Sequence, residues 1–597
     1  MNPYKFASSR ASEIDTQAVL SSAVRLTGGP HDYDGLMDMI GDACFVLLGE
    51  STHGTHEFYE ERARITRRLI VEKGFTGVAV EADWPDAWHV NRYIRAANDR
   101  HPARDKERRN SDSGAQDGRA GHDGHVRHAA SNGNSQHQQD NQADRQVRQR
   151  ASIGAEDHFP GETSPQPGLQ SARMALGGFA RFPTWMWRNA DVVHFIDWLR
   201  AHNHRCDTGG QVGFFGLDLY SLFSSIDAVQ AYLDRIDSVA AAKARQLYSC
   251  FAPFHQSSEL YARACRDHAG AGLSGQAAVR DVWQLLIDPP DAHTGHDDGH
   301  DATDVPDTPA ATDAPAAADA PDTPAAADAP DTGGPDNVRS VATPSISLES
   351  LVPRGNQAGA SAQTNSQATT RRDDDRFNAI QNARVAMSAE HYYRTMLDGR
   401  TASWNIRDSH MADSLDAIAA HLSAQQQTPA KIVVWEHNSH IGDARATESA
   451  QRGEHTLGQL VRERYGGACF SVGLTTYEGH VTAASRWNGR AERKRVLPAL
   501  RGSYELLFHE SGMARFLLPL GPHSTAAHAL QSRQLLERAI GVLYKPLTER
   551  QSHYFFADLP RQFDAVIHID CTHAVHPLAG GSRRHEPDAP ATFPAGV

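Results

Sequence analysis

The sequence predicts an α/β protein: a largely parallel central sheet flanked by helices, interrupted by two long disordered insertions. Three observations carry this reading. Apolar runs of strand length recur at Phe45–Leu48, Gly77–Val80, Val212–Phe215, Lys431–Trp435, Cys469–Leu474 and Ala565–Ile569. Stretches with apolar residues at helical spacing separate them, the alternation expected of a parallel sheet covered on both faces. Several of the runs end in ionisable residues, as strand ends around a functional crevice do.

In chain order, residues 1–98 hold a polar lead-in with one helix, the first strand, a helix with Phe58, Ile65 and Leu69 on one stripe, the second strand, and a helical pattern toward Ala96. Over residues 99–175 Gln, Asp, Arg, His, Asn and Gly dominate. Such a segment buries too little apolar surface to offset its chain entropy, so disorder is expected. Order returns over 176–288, with the aromatic Phe182-Pro-Thr-Trp-Met-Trp187, an amphipathic helix marked by Val192, Phe195, Ile196 and Leu199, the strand 212–215, and helical patterns over 225–288. Residues 289–372 are rich in Pro, Ala and Asp, with near-repeats at 320–328, and read as an extended mobile linker. Residues 373–580 hold two helices, the second beginning near Asp408 with Met411, Leu415, Ile418 and Leu422 on one face, and then the last three strands; 581–597 form a disordered tail. Both insertions are expected to loop out of one domain.

The formal charge of -14 is concentrated between Asp291 and Asp336, which is Asp-rich and lacks Lys and Arg. The remainder is close to neutral, so nothing points to a nucleic acid or another strongly charged partner. Cys44, Cys206, Cys250, Cys265, Cys469 and Cys571 show no CxxC spacing, which argues against a zinc knuckle or a disulfide framework. Residues 1–16 lack the apolar core of a secretion signal, and no apolar run approaches the roughly 20 residues that span a bilayer. A soluble, reduced, cytoplasmic protein is expected, with no membrane contact and its oligomeric state open. The His-containing tracts at His122, His125, His128 and at His293, His296, His300 are compositional hints of metal binding only.

The stretch Cys44 to Ile65 organises the chain. A buried strand breaks at Gly49 and passes through Glu50, Ser51, Thr52 and His53 into a helix. An imidazole is the natural general base at neutral pH when a carboxylate fixes its tautomer, and Glu50 stands three residues before His53. His56, at the helix start, reads as structural or capping. Arg62 sits on the apolar stripe one turn after Phe58, where a guanidinium suits a clamp for a carboxylate or a developing oxyanion. Glu81 ends an apolar strand, a costly place for a charge without a partner. His437 and His440 form His-x-x-His just past the fourth strand, as a polar loop, a pair of metal ligands, or substrate and oxyanion contacts in a metal-free site. Strand alternation turns Glu436 away. There is no Gly-x-Ser-x-Gly elbow, no P-loop and no complete Gly-x-Gly-x-x-Gly, and the flanks of Ser51 do not suit a nucleophile. The residues favour water activated by His over an acyl-enzyme.

Gly49-Glu-Ser-Thr-His-Gly-Thr-His-Glu57, Val80-Glu-Ala82, Trp404-Asn-Ile-Arg-Asp408 with Met411-Ala412, Trp435-Glu-His-Asn-Ser-His-Ile441, Leu474-Thr-Thr-Tyr-Glu478 and Ala565 to Asp570 together resemble the erythromycin esterase family. The likeness spans nearly everything except the insertions. It implies a metal-independent, cofactor-free hydrolase that opens a macrolide lactone, or another small-molecule carboxylic ester, by adding water, with macrolide resistance as the biological consequence. It also implies roles. His53 activates water, Glu50 and Glu81 orient and tune it, and Arg62, His437 and His440 bind or polarise the ester, His437 within the catalytic set and His440 at the substrate. Two other readings compete: a metal-dependent hydrolase of a different ester or amide using the same cluster, and a non-catalytic small-molecule binder.

Overall fold

The computed structural model describes residues 13–96, 171–206, 210–254, 257–267, 275–287, 363–397 and 399–578. The strands are β1 (Val24–Arg25), β2 (Phe45–Leu48), β3 (Gly77–Asp83), β4 (Gly213–Asp218), β5 (Ile432–Trp435), β6 (Cys469–Ala483), β7 (Glu492–Val496), β8 (Arg515–Pro519), β9 (Leu535–Arg538), β10 (Tyr554–Ala557) and β11 (Ala565–Thr572). Nine of them form one sheet in the order β1-β8-β11-β6-β2-β5-β3-β4, with β7 on β6; β9 and β10 form a separate ribbon.

The six expected strands are the contiguous parallel block β11-β6-β2-β5-β3-β4. The sheet as a whole is mixed, because β8, β1 and β7 pair antiparallel at its margins. The physical reason is local. Glu492-Arg-Lys-Arg-Val496 is a charged edge strand with no apolar run to mark it, and β1 is two residues long.

Alternation along each central strand divides the core into two layers. Val46, Leu48, Val433 and Trp435 face one cluster together with Phe58, Ile65 and Leu69 of the helix His56–Lys73. Phe45, Leu47, Ile432 and Val434 face the other, with Met411, Leu415, Ile418 and Leu422 of the helix Arg400–Gln426. A third, helical cluster joins the helices between Leu222 and Ile287 to the helix Gln363–Thr395.

Sheet order explains where a site can form. From β2 the chain crosses β5 to reach β3; from β5 it crosses β2 to reach β6. The first crossing runs on the face of Phe58 and Ile65 and the second on the face of Leu457 and Val461. The loops leaving β2 and β5 therefore diverge to opposite faces and open a crevice at the strand ends.

Three boundaries differ from expectation. Residues 171–175 are ordered, with the Ser171 hydroxyl capping the short helix Ala172–Ala175. The helix Gln363–Thr395 already occupies 363–372. The next helix begins at Arg400, a full two turns before Asp408. The rest of the expected insertions, residues 99–170 and 289–362, and the tail 581–597 lie outside the described residues. Among the described residues no helix is long and apolar enough to cross a membrane.

Gly54, directly after His53, packs its backbone on β6. A Cβ there would lie 1.9 Å from the Thr482 carbonyl oxygen. Gly74 ends its helix at φ +70 with open space around it. Gly74→Ala is expected to cost about 1 kcal/mol from backbone strain alone. Gly54→Ala, which must displace backbone, is expected to cost about 3 kcal/mol. Melting temperatures of the two variants measured side by side check that order.

Candidate active site

Asn438 holds the two diverging loops together. Its backbone N–H donates to the Glu50 carbonyl at 2.8 Å. Its side chain donates to the Leu474 carbonyl and accepts from the Leu474 N–H. Gly49 makes this approach possible, since a Cβ there would sit 2.1 Å from the Asn438 amide oxygen. The loop after β2 is thereby fastened against the loop after β5.

On that base the His53 ring is fixed from behind. Tyr59 donates to the His53 carbonyl at 2.9 Å. Nδ1 lies 3.0 Å from Glu50 Oε1, and Arg62 Nη2 donates to Glu50 Oε2 at 2.8 Å. A carboxylate only accepts, so neutral His53 carries its proton on Nδ1 and keeps the Nε2 lone pair free. Nε2 lies 3.9 Å from Glu81 Oε1. Arg62 does not reach the cavity as a clamp. It is buried behind Glu50, its guanidinium 4.5 Å from the Tyr59 ring centre and 5.0 Å from that of Trp435. The stripe that carries it faces the core, so the charge is satisfied inward.

The cationic position in the cavity belongs to Arg407. Nε and Nη2 donate to the two oxygens of Asp218 at 3.0 and 2.8 Å, Nη2 also donates to Glu81 Oε1 at 2.7 Å, and Nη1 donates to His440 Nε2 at 2.9 Å. These bonds use four of the five guanidinium N–H groups and leave one on Nη1. His440 is committed on both ring nitrogens: Nδ1 donates to Asp408 at 3.0 Å, and the ring stacks on Trp404 at 4.5 Å. His440, expected at the substrate, thus has its two nitrogens turned to Asp408 and Arg407. Glu81 spends its second oxygen on the His437 backbone N–H at 2.9 Å.

The His437 ring centre lies 4.8 Å from that of His53. Its Nδ1 accepts from the Ser439 hydroxyl at 2.8 Å and the Ser439 N–H at 3.2 Å, which places the proton of the neutral ring on Nε2. The two imidazoles titrate apart. Burial opposes charge on His53, but Glu81 and the Glu50 hydrogen bond outweigh it and raise its pKa above the ordinary value. Burial, with His53 beside it, drives the His437 pKa well down. Burial also works against charge on Glu81, yet His53 and Arg407 hold it below the usual carboxylate range. Glu436 is buried, and burial, with Glu81 next to it, pushes its carboxyl pKa well up. His56 is structural: its Nδ1 pairs with Asp191 on the helix Ala190–Asn203, which raises its pKa to about 9.

His53, Glu81, Asp218 and Arg407 line a cavity of about 80 Å³. Phe179, Phe182, Trp187 and Trp487 give the cavity apolar lining, and Asp83, Asp86 and Arg181 also line it. Trp187 donates to the Glu81 carbonyl at 3.0 Å, and Phe182 meets Trp487 at 4.8 Å between ring centres. Glu50, Glu81 and His53 converge as expected, His437 packs against them, and Arg62 and His440 stand one layer back. Asp218 is among the strand-end groups expected to converge on this face, whereas Arg407 is not marked by the sequence reading. Asp218 is a strand-end acid like Glu81, and Arg407 lies one turn before Met411 on the stripe that faces the sheet. Among the described residues no group of three or more His, Cys, Asp or Glu is disposed to hold a metal ion. Glu81, Asp218 and His440 instead surround the Arg407 guanidinium.

Fold and site define an α/β protein with a His–carboxylate–guanidinium cluster at the strand ends, the makings of a hydrolytic centre. The erythromycin esterase family profile matches residues 70–118, 134–320 and 315–572, and the chain belongs to that family. Glu81, Arg407, His437 and His440 fall inside the matched spans, while Glu50, His53 and Arg62 precede them. Among solved structures, a succinoglycan biosynthesis protein is 17% identical with a TM-score of 0.58, covering 96% of this chain and 100% of its own. A Bacillus cereus protein is 16% identical with a TM-score of 0.58 over the same shares. A mutant erythromycin esterase in its open conformation is 13% identical with a TM-score of 0.47, over 90% of this chain and 93% of its own. At the identities of the first two, the likeness is one of fold.

The placement of Arg62 has a measurable consequence. Arg62→Ala leaves Glu50 buried with one oxygen unpaired, at an expected cost of about 3–5 kcal/mol. Chemical denaturation of this variant, and of Arg62→Ala with Glu50→Gln, checks it: the second change should restore part of the loss.

Proposed function

We propose that the protein hydrolyses a carboxylic ester or lactone with water activated by His53. The observation that carries this is the Nε2 lone pair of His53 in the cavity while Glu50 holds Nδ1–H from behind. Water forms the new C–O bond at the ester carbonyl as its proton passes to Nε2. The tetrahedral oxyanion takes the fifth N–H of Arg407, on Nη1. Collapse breaks the ester C–O bond, and His53 returns the proton to the departing alkoxide, giving an acid and an alcohol. Glu81, kept ionised by its cationic neighbours, favours the imidazolium formed in between. His437 stays neutral and adds no positive charge beside the base.

Glu81 and Asp218 are committed to Arg407, Glu50 to His53 and Asp408 to His440, so the reaction is proposed to need no metal. Family membership supports the hydrolase class, and a macrolide lactone is the substrate that the family name puts first, with resistance to that antibiotic as the role. The cavity takes the reacting carbonyl and a few atoms on either side. A macrocycle must extend past Phe182 and Trp487. Incubation with macrolides and with small lactones, read by mass spectrometry for the gain of one water, tests this. Turnover should survive exhaustive chelation and disappear in His53→Ala. Loss on chelation with recovery on adding metal supports the metal-dependent reading instead.

The base works only when neutral. A raised His53 pKa keeps the ring protonated through pH 6.5, so kcat/KM is expected to climb with pH and to half-saturate above 6.5. Glu81→Gln removes the charge that raises it, so that midpoint should move to lower pH. Arg407→Lys keeps a charge but loses the fork, and kcat is expected to fall about 10²–10³-fold.

A further inference from the structure

A second, larger cavity of about 230 Å³ lies behind the His437–His440 turn. The partition between the cavities is a single layer of side chains. Trp404 lines the second cavity and stacks on His440, which holds Arg407 in the first. Ser439 also lines the second cavity, and its hydroxyl donates to His437 Nδ1 at 2.8 Å.

The hydrogen-bonding state of the walls defines what fits. A hydroxyl has one proton and two lone pairs. Ser439 spends its proton on His437, Thr447 on the Ala444 carbonyl at 3.0 Å, and Ser552 on the Thr548 carbonyl at 2.8 Å. Each oxygen keeps lone-pair capacity, although Thr447 already accepts the Ser449 N–H at 3.2 Å and Ser552 lies 3.2 Å from the Thr548 hydroxyl. Gln562, 1% exposed and lining the same cavity, has a carbonyl oxygen with no partner among the described residues. These acceptors ask for donors on the ligand, while the Ser449 hydroxyl, which accepts from Arg452 at 2.9 Å, has a proton to offer in return. The charges in the wall are already paired, Arg400 with Glu454 at 3.2 Å and Arg452 with Glu448 at 3.2 Å and Glu454 at 2.9 Å, so neither a cation nor an anion gains an uncommitted counter-charge. What remains is a neutral molecule whose hydroxyls both donate and accept. The volume lies below the ~300–1,000 Å³ of sites for drug-sized ligands, so a single ring is the upper size.

We infer that this cavity is a second binding site for a neutral, hydroxyl-rich ligand of single-ring size, such as a monosaccharide, coupled to the active site through Ser439. A ligand oxygen that accepts the Ser439 proton takes it from His437 Nδ1, altering the ring beside His53. The coupling rests on the hydrolase reading; the binding does not.

The test is calorimetric titration of the full chain with glucose and galactose, and with inorganic phosphate as the anionic probe. At least one sugar should bind saturably with Kd of about 1 mM. Binding should be lost in Ser552→Trp and in Ser449→Trp, each filling the cavity, with circular dichroism reporting that they fold. Ser439→Ala should retain binding. With an ester substrate, the bound sugar should change kcat/KM at least twofold in the wild type and not in Ser439→Ala. No saturable heat at tenfold the expected Kd overturns the site. So does binding of phosphate in place of sugars, or sugar binding that survives both tryptophan variants. Binding with unchanged turnover overturns the coupling. Sugar binding by a protein that hydrolyses no ester leaves the site standing and removes the hydrolase reading.

Discussion

A guanidinium buried among carboxylates holds the site in shape. Arg407 reaches from the helix Arg400–Gln426 to Glu81 at the end of β3, to Asp218 at the end of β4 and to His440 past β5. Burying charge is costly, and it is sustained only where every partner is supplied by a rigid element. Here three strand ends and a helix supply them. Moving any one leaves a charge unpaired, so the strand ends are locked in relative position by the same bonds that aim the cation at the cavity. Arg62 does the same one layer deeper, for Glu50 alone.

The parallel half of the fold was legible because a strand buried on both faces must be continuously apolar, and six such runs stand out. The margins were not. The charges of β7 suit an edge and hide it, and nothing in the composition of Arg515-Phe-Leu-Leu-Pro519 tells which way it runs beside β11. The start of the helix Arg400–Gln426 was missed for a related reason. Its inward stripe reads Met411, Leu415, Ile418, Leu422 toward the C-terminus, but Trp404, Arg407 and Asp408 toward the N-terminus. The stripe loses its apolar character where it enters the site, so a rule that seeks apolar periodicity ends the helix early.

The same loss of apolar character bears on the different placement of the two arginines. Arg62 lies on the apolar stripe one turn after Phe58, where a guanidinium reads as a clamp for substrate. The helix His56–Lys73 turns it inward, over Tyr59 and Trp435. Arg407, distant in sequence, was already at the right phase. Extending the spacing of Met411, Leu415 and Ile418 back by one turn puts Arg407 and Asp408 on the buried face. Two adjacent charges on a buried face are a stronger signal of a site than either charge beside a motif, because each needs a partner from elsewhere in the chain.

The two imidazoles show how one cluster assigns a proton. Their ring centres are 4.8 Å apart, close enough that a charge on one disfavours a charge on the other. The carboxylates break the tie. Glu50 bonds His53 directly and Glu81 lies 3.9 Å from its Nε2. The Nδ1 of His437 receives only donors from Ser439, which favour the neutral ring. In the proposed reaction the proton therefore has one destination, His53, because the surroundings of His437 disfavour charge there. Groups whose surroundings push their pKa values apart are those between which acid–base roles divide. In this chain that division follows from which strand end carries the acids: Glu50 stands just past β2 beside His53, and Glu81 on β3 faces the same ring.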